Sequence, residues 1–214
     1  MRYVVRHGRN RPFTRQRESR GVWHGHSVTD SHDERLARAV KLRESGQLEQ
    51  ARELLLALRT EFPANTHIAV QTAWVHDSLG LEEEAVSHYR AAMAGDLSDQ
   101  ELRGALLGLG STLRTLGRDA EAEDIFRLGV ERFPEYRPLR VFYAMLRYNL
   151  GEPREAIADL LKLLLESTSD ADILRYRRAL TAYAEDLDRS WLVKAVHASG
   201  HRDAAVVLGR SSQL

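Results

Sequence analysis

Four glycines, Gly46, Gly80, Gly117 and Gly151, recur at steps of 34, 37 and 34 residues. Five positions after each stands an alanine (Ala51, Ala85, Ala122, Ala156). Seven positions before each stands a small residue (Ala39, Ala73, Gly110, Ala144). A fixed period of this length is the mark of a repeat architecture and constrains the fold before any single residue does. Four residues past the second alanine comes a bulky apolar side chain: Leu55, Tyr89, Phe126 and Leu160.

Within each period the apolar residues follow helical spacing, which predicts two helices per unit. The spans expected are about 31–45 and 48–61, 66–79 and 82–94, 99–116 and 119–132, 137–150 and 153–166. Ser31 with Glu34, and Ser98 with Glu101, have the three-residue spacing of a capping box at a helix start. Each glycine suits the left-handed residue that closes the first helix. Two antiparallel helices on a tight turn must cross closely, so a small side chain on one is expected to meet a small one on the other. Leu55, Tyr89, Phe126 and Leu160 are then expected to fill the space between units. The step of 37 adds three residues, placed at 100–102, which lengthen the first helix of the third unit.

This pattern resembles the tetratricopeptide repeat family, whose units are helix–turn–helix hairpins with small residues at the eighth and twentieth positions. The resemblance covers residues 31–168, as four units of about 32–65, 66–99, 100–136 and 137–168. The family's tryptophan near the fourth position is replaced here by Arg35, Ala69, Leu106 and Arg140. The family's small residue at the twenty-seventh position is matched at Ala92 and Gly129 but not at Leu58 and Leu163. The fold class expected is all-α, a right-handed α-solenoid.

In such stacks the first helices line the concave side. By the same resemblance, the groove would be formed at the fifth positions by Leu36, Val70, Leu107 and Val141, at the ninth by Val40, Trp74, Ser111 and Met145, and at the twelfth by Arg43, Asp77, Arg114 and Tyr148. The lysines and asparagines with which family members grip acidic tails are missing there. An apolar floor with a mixed rim implies a protein partner presenting an amphipathic helix or an apolar peptide.

Residues 1–30 carry seven arginines and two acids, a charge of 7 − 2 = +5 on a chain whose net charge is zero. This reads as a basic disordered arm; its arginines, interleaved with Tyr3, Phe13 and Trp23, offer nucleic-acid contact as an alternative function. After residue 168, Ile173, Tyr176, Leu180, Tyr183 and Leu187 form one apolar stripe, with a helix start read at Ser169 and Asp172. The stripe is expected to cap the fourth unit, or else to pair with a second copy in a homodimer. Further helices are expected at about 190–197 and 203–208, with 209–214 as a tail.

Catalytic patterns are lacking. Gly108 and Gly110 belong to no phosphate loop, no serine sits in a nucleophile elbow, and no two histidines have metalloprotease spacing. The chain contains no cysteine, which excludes disulfides and thiolate sites and fits a cytoplasmic location. The expectation is a non-enzymatic scaffold with no metal and no cofactor.

Overall fold

A computed structural model describes residues 31–188, and all its elements there are helices. The basic arm of residues 1–30 and the expected helices and tail beyond residue 188 lie outside the described residues. The order is α1 (His32–Glu44), α2 (Leu48–Glu61), α3 (Thr66–Ser78), α4 (Glu82–Met93), α5 (Asp99–Thr115), α6 (Asp119–Arg132), α7 (Arg137–Asn149), α8 (Pro153–Ser167), α9 (Ala171–Arg175) and α10 (Arg177–Glu185).

Local signals set the helix limits. Ser31 and Ser98 each form a complete capping box, with Glu34 and Glu101 respectively, and Asn65 caps α3 by accepting from the Ile68 N–H. The four periodic glycines adopt φ between 70° and 82°, where a Cβ is strained, and so end the first helix of each hairpin. The helix α5 has 17 residues against 13 for α1, α3 and α7, so the extra residues enter as about one added turn.

The small residues sit where the helices cross. Ala39, Ala51, Ala73, Ala85 and Ala122 are all fully buried. In the third hairpin a Cβ on Gly110 would come within 2.8 Å of the Phe126 ring, so the larger residue in α6 leaves room only for glycine in α5. Each hairpin packs on the next through α2–α3, α4–α5 and α6–α7. The first helices also pack on one another in turn (α1–α3, α3–α5, α5–α7), whereas the second helices α4 and α6 meet through the long side chains of Arg90 and Glu121. The stack therefore curves with the first helices on its inner side.

Two of the positions that depart from the family's tryptophan have a structural role of their own. Arg35 makes paired hydrogen bonds of 2.6 and 2.7 Å to Glu61, and Arg140 makes bonds of 2.6 and 3.1 Å to Glu166. Both ties join the start of a first helix to the end of the second helix in the same unit, 26 residues on. They hold the Glu61 and Glu166 carboxyls below the usual carboxylate range.

Three expectations need correction at the C-terminal end. The stripe over 173–187 is split between two helices, because the chain kinks at Tyr176 (φ −94°, ψ 9°). The cap of α9 is Asp170, whose side chain accepts from the N–H groups of Asp172 and Ile173; Ser169 does not supply it. The Leu160 side chain does not fill an inter-unit space: it is 41% exposed, whereas Leu55, Tyr89 and Phe126 are fully buried.

Candidate partner-binding groove

The inner face is built from α1, α3, α5 and α7, and the side chains expected to line it differ widely in accessibility. Val70 is fully buried and presents no surface. Leu36, Val40, Arg43, Trp74, Asp77, Leu107, Ser111, Arg114 and Val141 are partly buried. Met145 and Tyr148, both on α7, are exposed by 39% and 69%.

Three of the four twelfth-position residues, Arg43, Asp77 and Arg114, are struts between units. The Arg43 Nε donates to Gln71 Oε1 at 3.1 Å, which ties α1 to α3. The Asp77 Oδ1 accepts from the Thr112 hydroxyl at 3.0 Å, joining α3 to α5. The Arg114 Nε donates to Asn149 Oδ1 at 2.7 Å, joining α5 to α7. One polar bond thus crosses each junction at the same level of the stack. Gln71, Thr112 and Asn149 escaped the sequence reading because their partners lie 28 to 35 residues away and no periodic rule names them.

Asp77 also accepts from the Tyr89 hydroxyl at 3.1 Å. Burial pushes the Asp77 carboxyl up from its ordinary range, against the pull of the Thr112 and Tyr89 hydrogen bonds. Burial likewise raises the Tyr89 phenol, with the Asp77 charge adding to the effect. Asp77 thus joins α3 to both α4 and α5 through two hydroxyl donors.

Trp74 is seated, not free. Its ring lies where a Cβ on Gly104 would approach to 2.9 Å, so α5 offers it bare backbone. The Arg43 guanidinium lies over the ring at 5.4 Å from its centroid. Gly104 was legible in the sequence only as a glycine within a helix. Near the far end of the face, the Arg147 guanidinium lies 4.8 Å from the Tyr143 ring centroid, and the Arg147 Nη1 pairs with Asp159 at 3.0 Å.

Among the described residues no group of three histidines or acids could hold a metal ion, and no helix is long and apolar enough to cross a membrane.

The comparisons with known proteins agree with this geometry. The family model described as tetratrico peptide repeat matches residues 66–187. Among solved structures, YrrB, described as a TPR protein with an unusual peptide-binding site, is 18% identical with a TM-score of 0.57, covering 77% of this chain and 84% of its own. MamA AMB-1 is 20% identical with a TM-score of 0.55, covering 67% and 78%. TTC0263, a thermophilic TPR protein from Thermus thermophilus, is 20% identical with a TM-score of 0.52, covering 78% and 96%. At these identities the likeness is one of fold. No curated protein matches the chain. With small residues at each helix crossing, a glycine closing each first helix, and more than half its length matched by the family model, the chain belongs to the tetratricopeptide repeat family, a family of protein–protein interaction scaffolds.

Proposed function

We infer that the inner face binds an amphipathic helix or an apolar peptide, and that the α7 end of the face provides the anchor. The observation that carries this is the pair Met145 and Tyr148, exposed by 39% and 69% one turn apart on α7. A rigid aromatic and an adaptable thioether side by side form the kind of centre on which interface energy concentrates. The partly buried Leu107, Ser111 and Val141 extend the face beside them. YrrB is described as having a peptide-binding site on a stack of the same fold, which supports the class of partner and not its identity.

The test is affinity capture from the native lysate with the full chain, comparing wild type with Tyr148→Ala and Met145→Glu. Tyr148 is the better probe than Trp74, since truncating Trp74 would also empty its seat on Gly104 and release Arg43. A weakening of about 2 kcal/mol, roughly thirtyfold in affinity, is expected when an anchor of this kind is removed. Unchanged partner recovery, with helicity intact, overturns the reading.

A further inference from the structure

Successive hairpins meet at junctions of like build and unlike chemistry. Counted from its periodic glycine, each hairpin has the same three positions (eight and four before, eight after) turned towards the second helix of the hairpin before it. In the second hairpin these are Thr72, His76 and His88, and Arg52 on α2 donates to His76 Nε2 at 3.3 Å. In the fourth they are Tyr143, Arg147 and Asp159. The Tyr143 hydroxyl donates to Glu123 on α6 at 3.4 Å, and Arg147 pairs with Asp159 at 3.0 Å. In the third hairpin all three are aliphatic: Leu109, Leu113 and Ile125. Side chains of α4 find no polar partner at these positions.

The middle junction holds a cleft of about 320 Å³ between α4 and α6, on the outer side of the stack. The buried Leu109 and Leu113 form its floor, and the partly buried Met93 and Ile125 its walls. Ligand pockets run from about 300 to 1,000 Å³, so this one suits a single large side chain and not a long segment. Beside it, Arg90 on α4 pairs with Glu121 on α6.

The charge around the cleft has one sign. Together α4 and α6 carry eight acids and three arginines, 3 − 8 = −5. Acids in a first turn complement the helix dipole. Asp124 lies beyond the first turn of α6, is exposed at the cleft, and makes no ion pair among the described residues.

We propose that this outer cleft is a docking site for a basic segment of a protein partner, which inserts one large apolar side chain between Met93 and Ile125 and sets a lysine or arginine against Asp124. Size selects the single anchor, and charge selects its neighbours. The site is separate from the inner face, whose exposed Met145 and Tyr148 lie on α7.

The chain has three methionines, Met1, Met93 and Met145, so methyl labelling of methionine with carbon-13 in the full chain puts one probe in the cleft and one on the inner face. The ligand used is the end-blocked peptide Lys-Arg-Trp-Arg-Lys, titrated to about 1 mM. The Met93 methyl signal is expected to shift saturably while Met145 stays in place. Alanine in place of the peptide's tryptophan should weaken binding at least about tenfold, and Asp124→Lys about fivefold. Ala94→Trp, which fills the cleft from an exposed position, should abolish the shift. Circular dichroism checks that variant, and Asp124→Lys carries the test if it does not fold. A Met93 signal that stays still overturns the proposal. So does an equal shift with the alanine peptide, which reduces the contact to charge, and so does a shift at Met145 alone, which assigns the peptide to the inner face. Tryptamine binding as tightly as the peptide would assign the cleft to a small aromatic cation, and a Met93 shift that grows with protein concentration without peptide would assign it to a second copy; either result overturns the proposal.

Discussion

The Tyr89 hydroxyl donates a hydrogen bond to Asp77 Oδ2 at 3.1 Å, across the hairpin formed by α3 and α4. The other oxygen of the same carboxylate accepts from Thr112 on α5, so three helices meet at one partly buried carboxylate. Removing the hydroxyl leaves a partly buried charge with one donor fewer. Tyr89→Phe is therefore expected to cost about 1–2 kcal/mol, read as a lowered urea midpoint with an unchanged slope.

The same tyrosine fixes what α5 tolerates. A Cβ on Gly108 would overlap the Tyr89 hydroxyl oxygen, and Tyr89 is fully buried with no room to turn aside. An alanine inside a helix ordinarily gains up to about 1 kcal/mol over glycine. Here overpacking outweighs that gain, and Gly108→Ala is expected to destabilise by about 1–3 kcal/mol net. A stabilised Gly108→Ala variant in thermal melts would show that the junction yields.

The tie between Arg140 and Glu166 is the closing bond of the fourth hairpin, and both side chains remain partly solvated. A double-mutant cycle with Arg140→Ala and Glu166→Ala should give a coupling of about 0.5–1 kcal/mol, smaller in 1 M salt. The folded-state pKa of Glu166 is lowered by the Arg140 hydrogen bond. Its contribution is present above the ordinary glutamate range and is lost as pH falls through the folded value. The cycle repeated in acid should show the coupling vanish.

His88 sits with its ring 4.7 Å from that of His76, and burial, with the His76 and Arg59 charges, lowers its pKa from 6.5 to about 4; Glu84 pulls the other way. Between those two values the unfolded chain takes up a proton that the folded chain refuses. Stability contributed by neutral His88 is present above pH 6.5 and is lost as pH falls towards 4. Screening at this partly exposed ring brings the expected loss to about 1–2 kcal/mol. His88→Gln should flatten the stability profile from pH 6.5 to about 5, where the carboxylates are still charged. A slope unchanged by that substitution assigns the loss to another group.

The helical hairpins and their closures were legible from the chain alone. A glycine at positive φ and a small residue at a crossing are demands made within a few turns, so they recur in register and can be read as a period. Leu160 marks the limit of that reading. Its position matches Leu55, Tyr89 and Phe126 in sequence, yet its 41% exposure follows from what α10 fails to cover. The repeat pattern describes a unit and is silent about its neighbour. The break at Tyr176 is of the same kind, since an apolar stripe continues across a kink without changing its spacing.

The groove divides along the same line. Which helices face inward was implied by the repeat, and the packing of successive first helices on one another agrees with it. Which inner side chains remain free was decided by packing between units. Trp74 is taken up by Gly104 and Arg43, and Asp77 by Tyr89 and Thr112, while Met145 and Tyr148 remain exposed. The sequence by itself determined the repeat, its helices and its turns, since these are local requirements of backbone conformation and side-chain size. Only the tertiary structure decided which surfaces those helices leave open, because that depends on partners some thirty residues apart that no local pattern records.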